Sequence, residues 1–69
     1  MQHSINDIAK RYAELSDKRK DKKRFTEQGF IKYASENKTK YHLIIHGDDL
    51  LVSTWHSNDL IEDYRKTLG

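Results

Sequence analysis

Sixty-nine residues, 35% apolar and 35% charged, suffice for one small domain and exclude a chain with a large core or several domains. No cysteine is present, which excludes a disulfide and a thiolate metal site, so the extra support that so small a core needs falls to self-association and a homodimer is expected. Net charge is only +2, but residues 1–40 carry +5 and residues 41–69 carry −3, and that asymmetry shapes the local field more than the total does.

No apolar stretch approaches the length of a membrane span, and Met1-Gln2-His3-Ser4 opens into an amphipathic segment rather than a signal peptide, so a cytoplasmic protein without a membrane partner is expected. Ser4 followed by Asp7 has the form of a helix N-cap with a carboxylate in the first turn. Ile5, Ile8, Tyr12 and Leu15 then recur at intervals of three and four, a single apolar stripe on a 3.6-residue helix. Continued further, the same helix would bring Arg19, Lys22 and Lys23 onto that stripe, so beyond about Ser16 it can no longer pack on a core. Lys18, Arg19, Lys20, Lys22, Lys23 and Arg24, six cations in seven residues, must therefore project into solvent or form a loop.

Residues 30–35 hold Phe30, Tyr33 and Ala34 at helical spacing, but their aromatic and β-branched content after Gly29 favours a strand, and a strand is the expectation. Asn37-Lys38-Thr39 reads as a turn. Between Tyr41 and Trp55 two β-rich runs flank His46-Gly47-Asp48-Asp49, and glycine at the first central position suits a type II′ hairpin. A Gly47-Asp48 loop pairs Ile45 with Leu50, Leu43 with Val52 and Tyr41 with Thr54 on the core face. It leaves Lys40, His42, Ile44, Leu51 and Trp55 on the other. Ser57 suits the cap of a last helix whose apolar face is Leu60, Ile61, Tyr64 and Leu68, with Arg65 and Lys66 near its carboxyl end and Gly69 ending it.

The expected fold of residues 1–69 is thus α+β in the order α-β-β-β-α, a three-stranded antiparallel meander with both terminal helices packed on one face. Double-stranded-RNA-binding domains share that order, but their last helix opens on a Lys-rich phosphate clamp where this chain has Ser57-Asn58-Asp59, so the match is one of topology alone.

Two binding readings follow. The basic segment Lys18–Arg24 suits a nucleic-acid backbone, DNA or RNA, through contacts that carry charge but little sequence information. The competing account is a solvated helix end. The second reading is a protein interface on the uncovered sheet face, where Ile44, Leu51 and Trp55 form an apolar group beside Lys40, His42 and His46. Here the competing account folds Trp55 over the core edge.

His42 and His46 share a strand face but stand about 13 Å apart, too far to chelate one ion. Asp48-Asp49 reads as turn chemistry, because neighbouring strand residues point to opposite sides. With no oriented base near any serine and no glycine-rich phosphate loop, neither an enzyme nor a cofactor is expected. Asp59, Glu62 and Asp63 read as an ordinary solvated helix face.

Overall fold

The computed structural model describes residues 1–20 and 22–68, and the expectation that Gly69 ends the last helix lies outside them. The chain forms β1 (Gln2–Ser4), α1 (Ile5–Arg19), α2 (Glu27–Glu36), β2 (Ile44–His46), β3 (Asp49–Ser53) and α3 (Thr54–Leu68). The class is α+β, with one three-stranded antiparallel sheet ordered β1-β3-β2 and with α1 and α3 both touching the central strand.

The element order differs from α-β-β-β-α in two places, and the topological likeness to double-stranded-RNA-binding domains goes with it. Residues 30–35 are helical. Thr26 caps α2 by accepting the Gly29 N–H at 3.1 Å, Glu27 sits in the first turn, and Phe30 and Ala34 are fully buried four apart. A cap, a favourable dipole charge and two core contacts outweigh the β propensity of Ile31 and Tyr33. The third strand is instead β1, three residues pairing Gln2, His3 and Ser4 with Ser53, Val52 and Leu51, too short to leave a periodic signal.

The hairpin has the expected register, with Ile44 opposite Leu51, Ile45 opposite Leu50 and His46 opposite Asp49. Gly47 takes φ +62° and Asp48 does not share the positive φ, as a type II′ turn requires. The ladder is shorter than expected. Tyr41 and His42 belong to the turn that follows α2, so Tyr41 does not pair with Thr54, nor Leu43 with Val52. Ile45, placed on the core face by alternation, is 67% exposed, because it lies near the hairpin tip beyond the fully buried Val52.

The last helix begins three residues before Ser57. Thr54 leaves β3 with its N–H donating to the Met1 carbonyl at 3.1 Å, and Ser57, inside the helix, is buried with its hydroxyl donating to the Thr54 carbonyl. Trp55 is therefore a helical residue rather than the end of a strand.

The N-terminal cap forms as expected, Ser4 Oγ accepting the Asp7 N–H at 3.2 Å. The core side of α1 is centred on Ile5, Ala9 and Ser16, while Leu15, the last member of the expected stripe, is 36% exposed. A residue outside any apolar stripe completes that core: Phe25, in the loop, is buried against Tyr12, Phe30 and Tyr64 with ring centroids 5.5, 5.0 and 4.9 Å away. Burying one aromatic ring in this way contributes about 1.5–3 kcal/mol of transfer free energy, a large share for a core this small.

Candidate nucleic-acid interface

The basic segment is divided among three local structures. Lys18 and Arg19 end α1, Lys20 is its left-handed cap at φ +54° with its N–H donating to Asp17 and Ser16 carbonyls, and Lys22, Lys23 and Arg24 lie in the loop to α2. All six side chains are exposed.

Two ties hold the loop. The Phe25 N–H donates to the buried Ser16 hydroxyl at 2.9 Å, drawing the loop back along α1, and Arg24 forms an ion pair with Asp17. Arg24 is thereby committed to the loop's own geometry. Lys18, Arg19, Lys20, Lys22 and Lys23 have no ion pair among the described residues.

The fold adds a cation that the sequence placed elsewhere. Arg65, read as a complement to the dipole of the last helix, stands with its guanidinium 5.2 Å from the centre of the Tyr12 ring. With Arg19 and Lys23 it borders a groove of about 300 Å³ between α1 and α3, whose apolar lining includes Tyr12, Leu15 and Leu68. Among the described residues that line it there is no carboxylate. Three cations from three separate elements thus meet over an apolar floor. Helix dipoles account for cations at the carboxyl ends of α1 and α3, but not for Lys22 and Lys23, which lie outside any helix.

A larger groove, about 420 Å³, runs from Tyr12 towards β1 and the start of α3, but Asp7 lines it together with Arg11, so its charge is mixed. At the other end of α1 the acidic hairpin is locked down. Asp49 accepts the Ser4 hydroxyl, the Asn6 N–H at 3.2 Å and the Leu50 N–H at 2.7 Å. Burial by itself would raise its carboxyl, but these hydrogen bonds, with His46 nearby, outweigh it and hold the group below its ordinary range. Asp49 therefore belongs to a structural tie between hairpin and helix.

The second expected surface is only partly assembled. Ile44, 48% exposed, and Leu51, half-buried, are direct strand partners, whereas Trp55 projects from the first turn of α3 and is 87% exposed, so it does not fold over the core edge. Lys40 pairs with Asp63 at 3.8 Å and lies 5.4 Å from the Tyr41 ring centre. His42, at φ +54°, faces His56 with ring centres 5.0 Å apart, not His46.

On the acidic face of α3, Asp63 is also tied to the core. Buried Tyr41 donates to Asp63 at 2.5 Å, and burial first, then the hydrogen bonds to Asp63 and Tyr33, push its phenol far above the ordinary range. That group stays neutral and acts as a donor. Among the described residues no helix is long and apolar enough to cross a membrane, and no group of three or more metal-ligating side chains forms.

Comparison with known proteins finds no family model, no curated protein and no solved structure that matches this chain. Sequence reasoning missed the roles of Ser16 and Phe25 altogether, and read Tyr12 and Arg65 as a core residue and a dipole complement rather than as members of the groove. Only Phe25 left a signal, an aromatic side chain just before a Thr-Glu helix start, where the residue ahead of the cap often packs back on the helix.

Proposed function

We propose that this chain is a small non-enzymatic cytoplasmic protein that binds the nucleic-acid backbone through Lys18, Arg19, Lys20, Lys22 and Lys23, with Arg65 completing the patch and Arg24 holding the loop. The observation that carries this reading is the convergence of Arg19, Lys23 and Arg65, from a helix end, a loop and a second helix, on one groove without a described carboxylate. An ordinary solvated helix end would scatter its cations and pair them along the helix. Here the ion pair is formed by Arg24, outside the groove.

Fluorescence anisotropy with labelled nucleic acid tests the proposal. If these six cations, which form no ion pair among the described residues, contact phosphates, log affinity against log salt should fall with a slope of about −4 to −5. Reversing Lys20, Lys22 and Lys23 to Glu should reduce binding at low salt by at least an order of magnitude while leaving the far-ultraviolet dichroism unchanged. A slope near zero, or a triple variant that binds as well as the parent, refutes it.

A second reading is favoured by one specific observation, the exposure of Trp55, Ile44 and Ile45 at 87%, 48% and 67%. It makes the chain a protein-binding modulator or a homodimer that covers these residues. Trp55→Ser should then shift the sedimentation coefficient towards monomer and make melting less dependent on concentration. A wild-type chain that stays monomeric at millimolar concentration removes the homodimer.

A further inference from the structure

A phosphate-binding patch needs cations and water, not an apolar floor. The groove between α1 and α3 has both, because Leu15 is 36% exposed and Tyr12 and Leu68 are half-buried beside Arg19, Lys23 and Arg65. A duplex cannot use that floor. It offers phosphates on its outside while its bases are stacked within, and its width bars it from a groove of about 300 Å³. A single strand follows its phosphates along cations and turns its unstacked bases against aromatic and aliphatic side chains.

We propose, resting on the nucleic-acid reading above, that this groove receives bases of a single strand, so that the protein prefers single-stranded to duplex nucleic acid. Arg19 and Lys23 hold phosphates at the rim, and Leu15 and Leu68 form the apolar wall that a base covers. Arg65 is the element that joins the two functions. Its guanidinium is held over Tyr12, whose ring packs in turn on Phe25 at 5.5 Å, so it is ordered before ligand arrives. An ordered guanidinium offers a flat face to a base and N–H donors to a phosphate, and loses less freedom on binding than a lysine would. With Arg19, Lys23 and Arg65 engaged on phosphates, the wall that a base covers is Leu15 and Leu68, which read no base edge, so the preference is for strandedness, with little dependence on sequence.

The test uses the full chain and four probes at equal salt: labelled dT20, labelled U20, a 20-base-pair DNA duplex and polyglutamate of matching charge. The expected result is that dT20 and U20 bind about tenfold or more tighter than either the duplex or polyglutamate. Leu15→Asn, at an exposed position, should weaken dT20 binding several-fold without changing duplex binding, and Arg65→Gln, which also removes a phosphate contact, should weaken dT20 binding by a larger factor than duplex binding, with thermal melting confirming that both variants fold. Equal or tighter binding of the duplex overturns the single-strand preference and leaves the nucleic-acid reading standing. So does dT20 binding that Leu15→Asn leaves unchanged. Polyglutamate bound as tightly as dT20 shows charge alone at work and overturns the inference as well. If none of the nucleic acids binds at low salt, the underlying reading fails with it.

Discussion

Helix α1 carries a charged connection at each end, and the two are built on opposite principles. At its start the acidic hairpin is tied in by Asp49, which accepts from Ser4, Asn6 and Leu50. At its end the basic loop is tied in by Phe25 and by the Arg24–Asp17 pair, while Lys18, Arg19, Lys20, Lys22 and Lys23 form no ion pair among the described residues. Both arrangements suit the helix dipole, which favours anions at the first turn and cations at the last. The difference is what remains after folding. The Asp49 carboxylate is engaged by hydrogen bonds within the protein, whereas Lys18, Arg19, Lys20, Lys22 and Lys23 are exposed and spend no donor on an ion pair among the described residues. A charged residue whose partners are internal is explained by stability, and one whose position is set by a neighbouring apolar anchor is not, which is why the proposed binding role rests on the loop rather than on Asp49.

The largest effect on that contrast should come from Phe25→Ala. The ring is 4% exposed and touches three other aromatic rings, so its loss should cost about 3–5 kcal/mol, readable as a fall in the denaturant midpoint. A cost below about 1 kcal/mol would mean that the basic loop is not anchored from within.

Gly29→Ala tests the far end of the same loop. Alanine in a helix is ordinarily favoured over glycine by about 1 kcal/mol. At this position a Cβ would run into the Tyr64 hydroxyl and the Thr26 side chain that caps α2, so the sign should reverse and the variant should melt lower by about 1–2 kcal/mol. A stabilised variant would show that Tyr64 moves aside without cost.

The acidic end should respond more gently. Ser4→Ala removes the α1 cap and one donor to Asp49, a loss of about 1 kcal/mol. Because the Asp49 carboxyl is held below its ordinary range in the folded chain, its contribution is present at neutral pH and is lost as pH falls through its folded value. Asp49→Asn should therefore melt below wild type at pH 7, and the gap should narrow as pH drops below the ordinary carboxylate range. A gap that does not change with pH would remove Asp49 from the acid dependence.

The smallest effect on stability should be that of reversing Lys20, Lys22 and Lys23 to Glu, within about 0.5 kcal/mol, since all three are exposed and without ion-pair partners among the described residues. A larger loss, of 2 kcal/mol or more, would give these cations a structural role and weaken the contrast with Asp49.

Much of this architecture was legible along the chain because its causes are local. The Ser4 cap and the register and turn of the Gly47-Asp48 hairpin depend on residues within seven positions of each other. The basic segment was equally plain, since six cations in seven residues cannot be buried. Other features depend on distant partners. Strand β1 exists only because Gln2–Ser4 meets Leu51–Ser53, almost fifty residues away. Residues 30–35 became a helix when Phe30 and Ala34 found a core to enter, a choice that two competing periodicities left open. Trp55 changed from a strand residue to a helical one because α3 starts directly from β3.

For the candidate site the division is sharper. Sequence by itself determined which residues carry the positive charge and that they lie outside the core. Tertiary structure alone decided that Arg24 is occupied by Asp17, that Arg65 joins Arg19 and Lys23, and that Tyr12, Leu15 and Leu68 provide an apolar floor between them. The reason is physical. Charge and hydropathy are properties of single side chains and can be read in order along a chain, whereas a groove exists only between elements, and its chemistry is set by which side chains two separately folded helices bring to its edges.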